Sequence, residues 1–479
     1  MERLGLSLLT LALAVGLPSG VSAELSGSAE VGGSPERLVQ GRARTFELLD
    51  AWRASPVIND GSAKATAACA DNPRPTYSGE KVYDDATYKF RIHYTLNSAD
   101  PRSVTEEDVT RTAKSMRWVI DTQKDRLGYE MPPGDSVDSR GYCDEGFGGN
   151  GGNAYYDIYF VDEDFVYGYA QPMSLTSATG LEATSFLALS TWILNRPGDL
   201  EVTVAHEFFH AVQFGYDVFE DGFWMENTAT WMEEEVYDSV NDYYNYLPEA
   251  FQNPGTRLSA QGLSQYAHAI WPLFMRQETN VDVVKDIWEE CAKSDDANAL
   301  GAQKAVLDEL YDGGWEAAVV DFRGAMYNRD RFAEGDAYPD VSATITVTSL
   351  PASASPQVKN TGAEVIILNA DTIGVSDDTL NICFEGSSDA VRARVYGRRA
   401  SDQDPLPFAL SPSDDDGCLA IEGFGSTYDE VAIIGTYAST QQGAKSFTYS
   451  ACLSSASACS EEDVTEPSSE GEVVDEEGA

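Results

Sequence analysis

AHEFFHAVQ, residues 205–213, is the stretch that decides how this chain is interpreted. Residues four apart on an α-helix lie one turn apart on the same face, so His206 and His210 can direct ring nitrogens at a single ion. Glu207 is displaced by one residue and can reach a water molecule beside that ion. The spacing therefore predicts a metal centre in which Glu207 acts as the base.

The surrounding residues favour a buried helix. Asp199 follows Pro197 and Gly198 and is placed to cap the start of this helix. The chain has only four histidines, so chance rarely produces the pattern. Apolar side chains recur at helical spacing beside the histidines, at Val202, Ala205, Phe209 and Val212. Two alternatives to a catalytic site stay open: the two histidines are simply hydrogen-bonded, or they bind metal without catalysis.

A third ligand is needed, because a catalytic zinc centre usually has three protein ligands and one open position. Gln213 and Tyr216 stand where the pattern HExxHxxGxxH would place its glycine and third histidine, so this ligand comes from elsewhere. Residues 221–238, DGFWMENTATWMEEEVYD, predict a second amphipathic helix that returns antiparallel to the first. We expect Glu226 to be the third ligand, with Glu233, two turns further on the same face, as the alternative.

The two helical segments together carry a resemblance. AHEFFHAVQFGYD followed by FWMENTATWMEEEVYD resembles the gluzincin-type zinc metallopeptidases, in which HExxH precedes a helix with a glutamate ligand. With FRIHYT and YDIYF included, residues 85–350 are similar to a family of secreted bacterial proteins assigned as metallopeptidases with a C-terminal β domain. The resemblance implies an α+β zincin-like fold and Zn²⁺ held by His206, His210 and Glu226, with Glu207 as the catalyst. The segment between His210 and Glu226 is shorter than in the commonest gluzincin arrangement.

Several other polar residues are candidates for secondary roles. Tyr266 and His268 could stabilise an oxyanion, and we prefer Tyr266 because a phenol can donate a hydrogen bond without competing for zinc. Tyr266 also has the spacing of an ordinary packed aromatic residue. We interpret His93, which lies in a predicted strand, as structural. Glu234 and Glu235 are expected to be solvated.

The chain divides into five segments by composition. Residues 1–23 have a charged start, an apolar run and a small-residue site, which predicts a secretory signal peptide cleaved after Ala23. Residues 24–80 are rich in Gly, Ser, Ala and Pro and predict a linker or pro-segment, with a short helical hint at FELLDAWRA. The remaining segments are predicted as a zincin-like catalytic domain over 81–338, a β-sandwich over 339–459 and a disordered acidic tail over 460–479.

Seven cysteines without a CxxC pair favour disulfides in an oxidising compartment over a thiolate metal site. We expect a bridge between Cys69 and Cys143 and bridges among the last four cysteines, which leaves Cys291 as a buried thiol. The segment 411–418, SPSDDDGC, could place carboxylates around Ca²⁺, although a solvated turn explains it better.

Charge restricts the partners. The net charge of −47 would repel a nucleic-acid backbone, and no apolar run after the first 23 residues is long enough to span a bilayer. The sequence therefore predicts a secreted zinc endopeptidase that acts on protein or peptide substrates, with Glu207 moving the proton of the attacking water to the leaving amine. The alternatives are a surface-binding or adhesion protein on a zincin-like scaffold with little turnover, and a metal-dependent hydrolase of non-peptide amides or esters. The oligomeric state stays open.

Overall fold

A computed structural model describes the chain as a mixed α/β protein with a large C-terminal sheet. The predicted signal peptide, the Cys69–Cys143 bridge, the acidic tail and the centre of the acidic turn near residue 414 lie outside the described residues. The described residues are 44–54, 74–134, 151–163, 165–175, 180–279, 282–293, 298–399, 405–412 and 416–455.

A five-stranded sheet comes first along the chain. Its strands are β1 Lys81–Asp85, β2 Phe90–Tyr94, β3 Tyr156–Val161, β4 Gly168–Leu175 and β5 Ala183–Ser190. They lie in the order β1-β2-β3-β5-β4. β2, β3 and β5 are parallel, whereas the edge strands β1 and β4 are antiparallel to their neighbours. The segments 87–95, 155–161 and 185–189 contain the strands of this parallel centre, which is covered on both faces.

Helices account for most of the chain from Asp199 to Tyr327, as the sequence predicted. The second helix begins with a capping box, in which the Thr105 side chain accepts from the Asp108 backbone and the Asp108 side chain accepts from the Thr105 backbone. The helices are α1 Arg44–Arg53, α2 Glu106–Ile120, α3 Asp199–Gln213, α4 Gly222–Tyr237, α5 Leu247–Gln252, α6 Leu263–Ala267, α7 Ile270–Thr279, α8 Val283–Cys291, α9 Ala299–Leu310 and α10 Gly314–Tyr327.

Helix α3 lies at the centre of this part of the molecule. It packs on β4, β5 and α2, and it runs alongside α4. Phe209 of α3 and Trp231 of α4 meet edge to face with ring centroids 6.3 Å apart, and both are fully buried. Burying an aromatic side chain of this size contributes roughly 1.5–3 kcal/mol, so the two helices are firmly held against each other. The residues predicted as metal ligands therefore come from a rigid part of the fold.

The C-terminal part consists of short strands around a second apolar core. The elements are β6 Ile345–Val347, β7 Ala352–Ala354, β8 Gln357–Lys359, β9 Ala363–Asn369, α11 Ala370–Ile373, β10 Asp378–Gly386, β11 Val391–Arg399, β12 Leu406–Phe408, β13 Ser411–Pro412, β14 Asp416–Phe424, β15 Tyr428–Tyr437 and β16 Ala444–Leu453.

These strands form one barrel-like sheet of eleven strands rather than the two separate sheets of the predicted sandwich. β11, β15, β9 and β6 make one side, and β14, β10, β16 and β7 make the other. The two sides are connected because Phe424 at the end of β14 pairs with Tyr428 at the start of β15. The prediction of a β-rich C-terminal part is confirmed, and its closure into one sheet is the difference.

The described cysteines agree with the prediction. Cys383 on β10 and Cys418 on β14 are direct cross-strand neighbours and form a disulfide. Cys291 is a free, buried thiol at the end of α8, and burial raises its pKa well above the ordinary value. Among the described helices, none combines the length and the hydrophobicity needed to cross a membrane.

Candidate metal centre

The start of α3 fixes the direction in which its histidines enter the core. Gly198 is the N-cap, with φ of 86°, and Asp199 is the first helical residue. The predicted cap at Asp199 was therefore wrong by one position, since this left-handed backbone suits a residue without Cβ. The helix then runs inward, and the side chains of His206, Glu207 and His210 are at most 1% exposed.

Glu226 of α4 faces both histidines of α3. Its Oε2 lies 3.0 Å from Nε2 of His206 and 3.6 Å from Nε2 of His210. The two imidazole rings are nearly perpendicular, with centroids 4.9 Å apart. The donor atoms of all three residues lie within 4.8 Å of one another. The structure thus brings together the three residues that the sequence predicted as ligands.

The chemistry of this donor set fits a metal ion. His210 Nε2 and Glu226 Oε1 are buried without a hydrogen bond to any described residue, and leaving such atoms unsatisfied costs about 1–3 kcal/mol each. At ordinary zinc–ligand distances, two tetrahedral donors are about 3.3–3.4 Å apart. The observed separations of 3.0 and 3.6 Å lie on either side of that value. Two imidazoles and a carboxylate are also a common protein ligand set for zinc.

Further side chains hold each imidazole by its other nitrogen. Nδ1 of His206 lies 2.7 Å from Oε1 of Glu233, and Nδ1 of His210 lies 2.8 Å from Oε1 of Gln213. Histidines that bind metals usually have such a partner, which fixes the tautomer and the ring orientation. Glu233, the alternative ligand in the sequence interpretation, therefore lies behind His206 on the side away from Glu226.

Gln213 was not recognised from the sequence as part of the centre. Its Nε2 donates to the backbone carbonyl of Met225 at 2.9 Å and to Oγ1 of Thr228 at 3.0 Å. These bonds orient the amide so that its oxygen faces His210, and they connect the end of α3 to α4. A glutamine three residues after the second histidine is the sequence signal that points to this role.

The charges of the centre favour a cation between the helices. Burial alone would lower the pKa of His206, but hydrogen bonds to Glu226 and Glu233 outweigh it and raise that pKa to about 9. Burial opposes the charge on Glu226, yet its hydrogen bond to His206 and its interaction with the nearby His210 imidazole lower its pKa to about 2. A proton on His206 therefore takes the place that a metal ion would occupy, and we expect metal binding to release it.

Glu207 lies beside the edge strand β4. A Cβ on Gly168 would be only 3.3 Å from Cγ of Glu207 and 2.8 Å from the carbonyl oxygen of Ala188, so glycine allows α3 to approach this strand. Burial raises the pKa of Glu207. Its Oε2 accepts a hydrogen bond of 2.8 Å from Oγ1 of Thr45 on α1.

Helix α1 lies within the segment predicted as a linker or pro-segment. FELLDAWRA gave the only hint of it in the sequence. The ring of Phe46 meets the imidazole of His210 edge to face, with centroids 5.8 Å apart. Thr45 is fully buried. Contact between this helix and the centre was not predicted, because an isolated stretch of ten residues carries no signal of where it docks.

The remaining histidines and Tyr266 occupy three different surroundings. Tyr266 is fully buried and stacks near His206, with ring centroids 6.4 Å apart. His268 contacts the Ser264 carbonyl oxygen at 2.9 Å, and burial lowers its pKa to about 3. His93 lies between two carboxylates, with Nε2 2.9 Å from Asp157 of β3 and Nδ1 2.7 Å from Glu80. Of these, Tyr266 is the one that lies beside the candidate metal ligands.

Glu234 and Glu235 are less exposed than predicted. Glu234 is only 8% exposed, and burial together with the charges of Glu334 and Asp238 raises its pKa to about 9. Glu235 forms an ion pair with Nε of Arg276 at 3.1 Å. The expectation of solvated charges was wrong for both residues, because Glu234 is buried beside Asp238 and Glu334 and Glu235 is paired with Arg276.

The comparisons with known proteins give no function. Residues 176–402 match a family described as "Family of unknown function (DUF6055)", and that span contains both α3 and α4. No curated protein matches the chain. Similar solved structures include the pre-peptidase C-terminal domain of collagenase from Bacillus anthracis, at 9% identity and a TM-score of 0.18, covering 22% of this chain and 92% of that chain. PliG from Salmonella Typhimurium, a periplasmic lysozyme inhibitor of g-type lysozyme, has 12% identity and a TM-score of 0.18, with 23% and 99% covered. The Yersinia pseudotuberculosis-derived mitogen has 14% identity and a TM-score of 0.17, with 22% and 90% covered.

Proposed function

We propose that this protein is a secreted zinc-dependent endopeptidase whose catalytic domain is zincin-like and of the gluzincin type. The observation that carries the proposal is the convergence of His206 Nε2, His210 Nε2 and Glu226 Oε2 on one buried point. The Glu207 carboxyl is close enough to interact electrostatically with all three residues. The Cys383–Cys418 disulfide supports an oxidising, extracellular location.

His206, His210 and Glu226 would hold the ion, and Glu233 and Gln213 would keep both imidazoles oriented. Zinc in this position would supply a Lewis acid that acidifies a water molecule and polarises a substrate carbonyl. A site with three protein ligands leaves room for that chemistry, which is the arrangement expected of a catalytic zinc rather than a structural one.

Glu207 has the role of proton carrier. It accepts a proton from the attacking water and then donates it to the leaving nitrogen. Its burial raises its pKa, and a carboxylate with a raised pKa holds the proton more readily between these two events. The Tyr266 hydroxyl, beside His206, would donate a hydrogen bond to the oxygen that becomes negative as the carbonyl is attacked.

A peptide substrate is favoured by the position of β4. This strand is at the edge of the five-stranded sheet, next to Glu207, and an edge strand can pair with an extended peptide through backbone hydrogen bonds. The N–H of Ala170 on β4 donates to the Thr45 side chain rather than to β5, so it points away from the sheet, toward α1. Such a donor would orient a peptide backbone across the metal centre.

The experiment that tests the proposal is a comparison of the wild type with Glu207→Gln. Both proteins are expected to contain one zinc per chain by mass spectrometry, because Glu207 is not a ligand. Hydrolysis of casein should fall by at least about a hundredfold in the variant, since general acid–base catalysis typically contributes this much. Glu201→Gln, on the first turn of the same helix, is the control and should behave as the wild type.

An ester substrate tested beside casein separates the proposal from hydrolysis of non-peptide bonds. Zinc binding with ester turnover but no casein turnover would favour a hydrolase of another class. Zinc binding with no turnover of either substrate would leave the binding or adhesion alternative. Full casein turnover in Glu207→Gln would contradict the assigned mechanism.

A further inference from the structure

We propose that α1 is an internal inhibitor that occupies the substrate cleft, the space beside β4 and Glu207, and that α1 must leave before the metal centre can act. This inference rests on the proposed function and adds its regulation. The ligands and Glu207 are almost completely buried, so a peptide cannot reach them in this conformation. Helix α1 is the element that covers them on the side of β4.

A single side chain of α1 takes both groups that a substrate needs. Oγ1 of Thr45 donates to Oε2 of Glu207 at 2.8 Å and accepts from the N–H of Ala170 at 3.0 Å. The first bond engages the proton carrier. The second bond engages the backbone donor that an extended peptide would use on β4. Thr45 therefore stands in the place of the attacked peptide and its water.

The next residue of α1 fills the space beside the ligands. Phe46 meets His210 with ring centroids 5.8 Å apart. A Cβ built on Gly222 would lie 2.8 Å from this ring, so the phenylalanine sits directly on the first residue of α4. Because α4 carries Glu226, Phe46 contacts both helices of the metal centre, in a position that a substrate side chain would need.

The rest of α1 is anchored by apolar burial and by backbone carbonyls. Leu49 is fully buried, and Nε1 of Trp52 donates to the carbonyl of Met173 on β4 at 3.0 Å. Nε of Arg53 donates to the carbonyl of Val218 at 3.0 Å. A helix of ten residues is marginal in water by itself. We infer that α1 keeps its helical form only while it is docked, so that displacement opens the cleft completely.

The experiment uses the full chain loaded with zinc and compares the wild type with Thr45→Val and Phe46→Ala. The first measurement is the rate at which 1,10-phenanthroline removes the zinc, which reports access to the centre without any catalysis. We expect removal to be at least about tenfold faster in Phe46→Ala, because truncating a packed ring lowers the free energy of local opening. Thr45→Val preserves the shape of the side chain and removes its hydrogen bonds to Glu207 and Ala170. Faster zinc removal from this variant would therefore not result from a cavity.

Ala51→Ser, on the exposed face of the same helix, is the matched control and should release zinc at the wild-type rate. The second measurement is casein hydrolysis, which should rise in both Thr45→Val and Phe46→Ala. If both zinc-loaded variants release zinc at the wild-type rate, or if hydrolysis falls in both, the inference is overturned and α1 is a fixed part of the site. Zinc missing from all four proteins would instead remove the proposed function, and the inference with it.

Discussion

Exchanging Glu226 and Glu233 in turn for glutamine separates the residue that binds the metal from the residue that orients a ligand. Glu233 contacts the far nitrogen of His206, Nδ1, at 2.7 Å. Loss of such a partner weakens metal binding by about 10–100-fold, and glutamine can still accept this bond, so we expect Glu233→Gln to be near the lower value. Glu226→Gln removes a charged ligand, and we expect its loss of affinity to exceed about a hundredfold.

The assay is competition for zinc against a chromophoric chelator of known affinity, at neutral pH and fixed ionic strength. Glu235→Gln on the same helix is the control, because this side chain pairs with Arg276 away from the centre. It should bind zinc as the wild type does. An affinity loss for Glu233→Gln as large as that for Glu226→Gln, or larger, would refute the assignment of Glu226 as the third ligand.

Other perturbations address electrostatics, catalysis and packing separately. The His206–Glu226 pair should make the metal-free protein most stable to urea between about pH 4.5 and 6.5, because His206 loses its contribution as the pH rises through about 9 and Glu226 loses its own as the pH falls through about 2. Glu226→Gln should remove the acidic limb of the profile and reduce the alkaline limb, because Glu233 still favours the proton on His206; an unchanged acidic limb would mean that other groups cause it. Tyr266→Phe should lower kcat by about a hundredfold or more without changing zinc affinity, and an unchanged kcat in steady-state kinetics would leave this residue only a packing role. Ile433→Ala, in the fully buried core of the C-terminal sheet, should lower the free energy of unfolding by about 2–5 kcal/mol in urea titrations and leave zinc binding intact.

The elements with a strong local pattern could be predicted from the sequence. The helix around His206 and His210 follows from a continuous apolar face, and the strand at 185–189 follows from an apolar run. Glu226 could be predicted because only a short segment connects the two helices. Few acidic side chains of the second helix can therefore reach the histidines. These inferences need only short-range geometry.

Long-range contacts could not be predicted in the same way. Thr45 is 162 positions from Glu207, and nothing in its neighbourhood indicates that it bonds to the buried carboxylate. Gln213 stands where the pattern HExxHxxGxxH has glycine, but a mismatch to one pattern does not indicate which new partner the residue has. Glu234 lies beside Glu334, a hundred positions further along the chain, and the charge of Glu334 helps to raise the pKa of Glu234. Charge runs therefore need the tertiary structure before they can be interpreted.

The C-terminal sheet illustrates an intermediate case. Strands such as β9 and β15 have β-branched runs that predict them well. β10 and β14 were not noted, although they carry the disulfide between Cys383 and Cys418. The alternation of polar and apolar residues along a strand does not determine which strands pair. The sequence therefore could not distinguish two separate sheets from one sheet that is connected through Phe424 and Tyr428.

The central claim is that one zinc ion binds between α3 and α4. Crystals of the full chain grown with zinc, measured on both sides of the zinc absorption edge, test it most directly. We predict a single strong anomalous peak between His206 Nε2, His210 Nε2 and Glu226, at full occupancy. An empty map at that position, or a peak held by other residues while these three stay hydrogen-bonded to one another, would contradict the account.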